Sequence, residues 1–188
     1  MSGDGTELRT GRLLVATPAL LDPNFARTVV LLLDHDEDGT VGVVLNRPTD
    51  LMLETGLPGW ERLAAYPPVV FLGGPVSPSS AVCLGRARPA IRIEGFRPVA
   101  GRLGILDPER DVDELAAGVE SARVCAGYAG WGAGQLDDEI AEGAWWVVDL
   151  RDEDVTASEP ETLWQRVLRR QPPPLSWASL APVDPTLN

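Results

Sequence analysis

Short apolar runs, each closed by glycine, proline, asparagine or aspartate, recur along most of this chain. They read as strands over Gly11–Thr17, Thr28–Leu33, Thr40–Leu45, Val69–Gly73, Ala81–Arg86, Gly101–Leu106, Arg123–Tyr128 and Ala144–Asp149. The second and third are joined by Asp34–Gly39, whose Asp38-Gly39 end is a hairpin signal. Asn46-Arg47-Pro48 should end the third, because proline cannot donate to a ladder. Helical periodicity is rarer but well capped. Asp111 with Glu114 forms a capping box ahead of an Ala/Leu/Glu-rich run. Ser158 with Glu161 forms another ahead of a helix with Leu163, Trp164, Val167 and Leu168 on its apolar side and Arg169-Arg170 at its end, which suits the dipole. Shorter helices are predicted over Asp50–Gly56, around Trp60–Ala65 and over Gln135–Glu142. The pattern predicts an α+β fold: a single compact domain with a mixed, largely antiparallel sheet, open or closing toward a barrel, flanked by short helices. Residues 1–10 read as disordered, 11–170 as the domain and 171–188 as a proline-rich tail, in which Trp177 and Leu180 can fold back onto the domain or meet a partner.

Composition narrows the chemistry. At 188 residues the chain is long enough for a real core. The polar N-terminus lacks the order of a signal peptide, and no apolar run reaches the length of a membrane span, so a cytoplasmic protein with no membrane partner is expected. The net charge of −12 repels phosphate backbones and speaks against nucleic-acid binding. All sixteen basic residues are arginine, which excludes Schiff-base lysines, Walker-A lysines and Ser-Lys dyads. Cys83 and Cys125 lie in apolar, strand-like runs and read as buried free thiols. With one histidine, His35, and no CxxC, neither a metal site nor a cofactor is expected. The Asp34-x-Asp36-x-Asp38-Gly39 turn copies the first half of a calcium loop, but the twelfth position is Leu45, so it reads as a solvated hairpin tip.

The most distinctive tract runs from Cys125 to Asp149. Gly127, Gly130, Gly132 and Gly134 mark it as a loop whose backbone path matters, followed by a short acidic helix and a strand. The outline is that of a dinucleotide fold, but the spacing is GxxGxGxG, and Asp137, Asp138 and Glu139 occupy the first helical turn, where a pyrophosphate needs positive potential. A tight elbow is the better reading. Trp131, between two of those glycines, either plugs the core or stands exposed beside Tyr128 as a recognition surface. Gly73-Gly74-Pro75-Val76 reads as a rigid turn with free N–H groups, either a structural crossover or an anion cradle.

Three blocks, residues 11–48, 69–86 and 123–149, resemble the YqgE/AlgH family of small bacterial proteins. The likeness is carried by Asn24-Phe25-Ala26-Arg27, Asn46-Arg47-Pro48, Gly73-Gly74-Pro75-Val76, Gly127-Tyr128-Ala129-Gly130-Trp131-Gly132 and Gln135-Leu136. The resemblance implies a compact, cytosolic α+β domain without a recognised cofactor. It brings no defined reaction, and its pattern holds no DNA-reading motif, although one branch carries a transcriptional-regulator label. The tail after Arg170 falls outside it. The candidate binding residues are therefore Asn24, Arg27, Asn46, Arg47, Gly73, Gly74, Tyr128, Trp131 and Gln135. Arg27 and Arg47 should lie near the open end of one hairpin, where two guanidinium groups either hold an anion or satisfy strand-end carbonyls. The favoured function is a non-enzymatic, cytosolic, regulatory binding protein with a protein partner. The alternatives are a sensor or enzyme for a small anion or nucleotide in an arginine-lined cleft, with Asp137 or Glu139 as acid or base, and a transcriptional regulator.

Overall fold

The computed structural model of the chain describes residues 7–182. Among the described residues ten strands occur: β1 Arg12–Ala16, β2 Val29–Asp36, β3 Gly39–Val44, β4 Pro48–Met52, β5 Val69–Leu72, β6 Val76–Ala87, β7 Phe96–Ala100, β8 Leu103–Leu106, β9 Val119–Gly132 and β10 Trp145–Asp149. Six helices punctuate them: α1 Leu53–Gly56, α2 Val112–Gly118, α3 Gln135–Ala141, α4 Asp152–Val155, α5 Leu163–Arg169 and α6 Leu175–Ala178. The strands run β10-β1-β2-β3-β9-β6-β8-β7, with β5 joined to β9 and β4 to β5. Every pairing between strands is antiparallel except β5 with β9. The sheet curls into a half-barrel, and the fold is α+β as the pattern predicts. Among the described residues no helix is long and apolar enough to cross a membrane.

Helices cover both faces of the sheet, which explains why Leu13–Ala16 of β1 and Val29–Leu33 of β2 are unbroken apolar runs. Leu13, Val15, Val29, Leu31 and Leu33 pack on Leu163, Trp164, Val167 and Leu168 of α5. Leu14, Ala16, Val30 and Leu32, pointing the other way, pack with Trp131, Leu136 and Trp145. The Trp164 indole donates to Ala16 O across 2.8 Å, fastening α5 to β1. A third cluster seats α1 and α2 against β6, β8 and β9.

Several local expectations change. The strand expected over Arg123–Tyr128 is part of β9, the central strand, which runs on through the glycine tract read as a loop as far as Gly132. One edge of β9 pairs with β6; the other takes β5 and then β3. Ladder bonds on both edges fix a segment whose intrinsic preference is irregular. Pro48 opens β4 rather than only ending β3: β4 bonds to β5 alone, and proline is tolerated on an edge strand. The helix expected over Asp50–Gly56 shrinks to α1. The Ser158–Glu161 capping box does not form; a 3₁₀ turn at Pro160–Thr162 leads into α5, and Thr162 makes no side-chain cap. Asp111 does cap α2, accepting from the N–H of Asp113 at 2.7 Å and of Glu114 at 3.4 Å. Within the segment read as disordered, residues 1–6 lie outside the described residues, and Leu8 packs on the Trp131 cluster. Within the tail, residues 183–188 lie outside them; α6 folds back, with Leu175 and Ala178 against the α5 side of the core, while Trp177 and Leu180 stay exposed.

One buried cation ties these layers together. Arg123 on β9 is 2% exposed. Its Nε donates to Val155 O (3.3 Å), Nη1 to Ala65 O (3.4 Å) and Pro67 O (3.2 Å), and Nη2 to Tyr66 O (3.3 Å) and Ala157 O (2.9 Å). The guanidinium lies 4.1 Å from the centroid of the Phe71 ring. Burial lowers its pKa to about 10. Carbonyls on two separate loops thus share one donor fork.

Arg123→Ala leaves those carbonyls without their donors, and urea unfolding should show a loss of about 3 kcal/mol or more, with Arg123→Lys recovering part of it. The thiols give a second expectation. Cys83 and Cys125 are free and buried on opposite faces of the sheet, and burial pushes both pKa values up to about 12. Ellman's reagent at pH 8 should find neither thiol in the native chain and both after unfolding. The unfolded chain releases these protons near pH 9 and the native one holds them, so the thiol contribution to stability is intact below pH 9 and declines between pH 9 and 12.

Candidate functional site

At the end of β3 the chain turns over the segment 22–27. Asn46 accepts the Val29 N–H at 2.9 Å and donates to Arg27 O at 2.9 Å. Arg47 donates to Pro23 O at 2.7 Å and Ala26 O at 3.0 Å. Desolvation lowers the Arg47 pKa, and nearby Asp22 opposes that shift. Asn24 is exposed at the tip of the turn, where its N–H donates to Asp22 Oδ1 at 2.8 Å.

Arg27 faces elsewhere. With φ of 57° its backbone is left-handed, and its Nη2 donates to Ala181 O at 2.9 Å and to Pro182 O. Its guanidinium lies 4.5 Å from the Trp164 ring centroid. Both arginines are bonded to backbone carbonyls, and the structure does not bring them to one cleft.

The Gly73-Gly74-Pro75 segment crosses from β5 to β6 directly over β9. The Val44 N–H donates to Gly73 O and the Gly73 N–H to Ala126 O, both at 2.8 Å, so Gly73 knits β3, β5 and β9 at their junction. A Cβ on Gly73 would sit 2.2 Å from Gly127 O, and one on Gly74 2.2 Å from the Tyr128 carbonyl. Only glycine permits that approach. Beside it opens a cavity of about 300 Å³, lined by Asn24, Arg47, Leu72, Gly74, Pro75 and Pro78. The structure thus unites Asn24, Arg47 and Gly74, residues from three separate tracts.

Trp131 is buried, 6% exposed, and completes a cluster with Trp145 and Phe25, its ring centroid 6.0 Å from each of theirs. Glu139 on α3 explains how two indoles are tolerated there. Its Oε2 accepts Trp131 Nε1 at 3.0 Å and Trp145 Nε1 at 2.8 Å, and its Oε1 accepts Gln135 Nε2 at 3.0 Å. Gln135 in turn accepts the Gly132 N–H at 3.0 Å. The contacts of Gln135 and Glu139 thus hold α3 against β9 and β10. Tyr128, half-buried, lies with Trp131 on a second cavity of about 470 Å³ that also takes Asp34, Asp36, Asp38 and Val76.

Sequence reasoning missed Arg123 as an organising residue, and it named Glu139 only as a candidate acid or base, not as the acceptor of two indoles. The signal for Arg123 was a lone arginine inside an apolar strand. The signal for Glu139 was a pair of tryptophans needing an acceptor.

A family model described as AlgH-like matches residues 13–176, past Arg170. A UPF0301 protein of Streptomyces avermitilis is 52% identical over 183 residues, covering 95% of each chain. Protein DIP2367 of Corynebacterium diphtheriae, a crystal structure, superposes with a TM-score of 0.90 at 33% identity, over 96% of each chain. The solution structure of AlgH from Pseudomonas aeruginosa superposes with a TM-score of 0.70 at 28% identity, over 98% of this chain and 99% of that one.

Glu139→Ala removes the acceptor of two buried indoles. We expect a loss of about 2 kcal/mol, a shift in tryptophan emission, and a smaller loss for Glu139→Gln, which keeps a carbonyl oxygen; urea unfolding followed by fluorescence measures all three.

Proposed function

Since the chain belongs to the AlgH-like family, we propose that it acts by binding a protein partner, in the cytoplasm and in a regulatory role, at the cavity beside the Gly73–Pro75 crossover. The observation that carries this reading is the way the cavity is built. Its walls are fixed by a glycine crossing that admits no side chain, by Pro75 and Pro78, and by a turn that Arg47 holds through two carbonyls. A wall already ordered loses little further entropy on binding.

Its chemistry is mixed. Leu72, 39% exposed, and the prolines supply apolar surface, while Asn24 and the remaining Arg47 donors supply polar contacts. That combination suits an extended segment carrying an apolar side chain next to a carboxylate. Val76 beyond the crossover, and Leu51 and Met52 on β4, are also exposed.

Trp131, the natural first choice for substitution, reports on the core because it is buried. Asn24→Ala and Leu72→Asp change the exposed rim instead. A partner recovered in stoichiometric amount by quantitative pull-down should be weakened about tenfold or more by each variant at unchanged melting temperature. A partner held at wild-type affinity by both removes this surface from consideration.

A further inference from the structure

The sequence points to an arginine-lined cleft, and the structure holds one at a place the sequence did not indicate. Arg151 ahead of α4 and Arg166, Arg169 and Arg170 on and just after α5 surround a cavity of about 340 Å³, with Glu153 the carboxylate on its wall. Arg170 is fixed: it makes a two-pronged bond to Asp154, at 2.7 and 2.6 Å, and donates to Asp149 O at 2.9 Å. Asp154 is 1% exposed, so that pair is rigid. By contrast, among the described residues the side chains of Arg151, Arg166 and Arg169 make no hydrogen bond or ion pair. Several arginines elsewhere are matched, Arg86 and Arg102 by Glu120, Arg110 by Glu94 and Arg62 by Asp113, while Arg88, Arg92 and Arg97 have no such bond among the described residues; what sets the α4–α5 group apart is that three such arginines line one cavity.

We infer that this cavity between α4 and the C-terminal turn of α5 binds a phosphoryl group carried by a small molecule. Charge gives the class of ligand. With Arg170 offset by Asp154, three guanidinium groups face one carboxylate, leaving two positive charges in a chain whose net charge is −12. A phosphate monoester carries about −1.5 to −2 at pH 7, and its oxygens match the guanidinium fork. Arginine at a helix C-terminus also favours the dipole, but Arg151 belongs to a different element and is not explained that way. A nucleic-acid strand is disfavoured by repulsion from the rest of the molecule. The cavity shares no residue with the partner surface proposed above, so either can fail alone.

The test is calorimetric titration of the full chain, at constant ionic strength, with inorganic phosphate, pyrophosphate and AMP. We expect saturable binding, weakened roughly tenfold or more in Arg166→Ala/Arg169→Ala, whose lost contacts are charge-assisted. Glu153→Gln removes the one repulsive group and should tighten binding about threefold. Inorganic phosphate and AMP should bind more weakly at pH 5.5 than at pH 7.5, because the second phosphate proton is held below about pH 6. AMP binding more tightly than inorganic phosphate identifies a phosphorylated organic molecule as the ligand; equal affinity identifies the phosphoryl group alone. Absence of saturable heat with all three probes, or affinities unchanged in both variants, overturns the inference.

Discussion

The architecture depends on one close approach, that of the β5–β6 crossover to the backbone of β9. Gly73, Gly74 and Gly127 meet there with backbone atoms where side chains would stand: a Cβ on Gly127 would lie 2.6 Å from Gly74 O. That contact lets β5 run parallel to β9 for a short stretch, hands the same edge of β9 on to β3, and delivers β6 to the opposite edge. Widening it by one methyl group displaces a strand from each of three pairings. The cavity beside Asn24 and Arg47 is a product of the same crossing, since Gly74 and Pro75 are both structural pivot and cavity wall.

Around that crossing, polar side chains are used chiefly to satisfy backbone. Asn46 and Arg47 hold the 22–27 turn, Arg27 holds the C-terminal segment, Arg123 holds two loops, and Glu139 holds two indoles and a glutamine. The four arginine and asparagine residues each bridge separate parts of the chain through backbone carbonyls. A guanidinium suits this task because it is planar, has five donors and stays charged even when burial lowers its pKa. The same property makes arginines without such duties conspicuous, and Arg151, Arg166 and Arg169 of the α4–α5 cavity are of that kind.

Features set by near neighbours were legible in the sequence. Asp38-Gly39 gave the β2–β3 hairpin, and Asp111 gave the start of α2, because both depend on residues within a turn. The strand over Arg123–Tyr128 was legible, but its continuation through Ala129–Gly132 was not, since glycine has no strand preference and the β3 partner that imposes one lies far along the chain. The acceptors of Arg123 are 32 to 58 residues away, so nothing local announces its role. Of the candidate residues, Asn24, Arg47 and Gly74 could be nominated from the sequence, but their meeting at one cavity follows only from the crossover. Arg27 was nominated on the same grounds and points to the other end of the chain.

That last contact bears on biosynthesis. One guanidinium joins a turn near the start of the chain to the carbonyls of Ala181 and Pro182 while covering the Trp164 ring. A nascent polypeptide emerges N-terminus first. Arg27 leaves the ribosome long before its acceptors do, and this corner of the molecule stays unlatched until Ala181 and Pro182 have emerged.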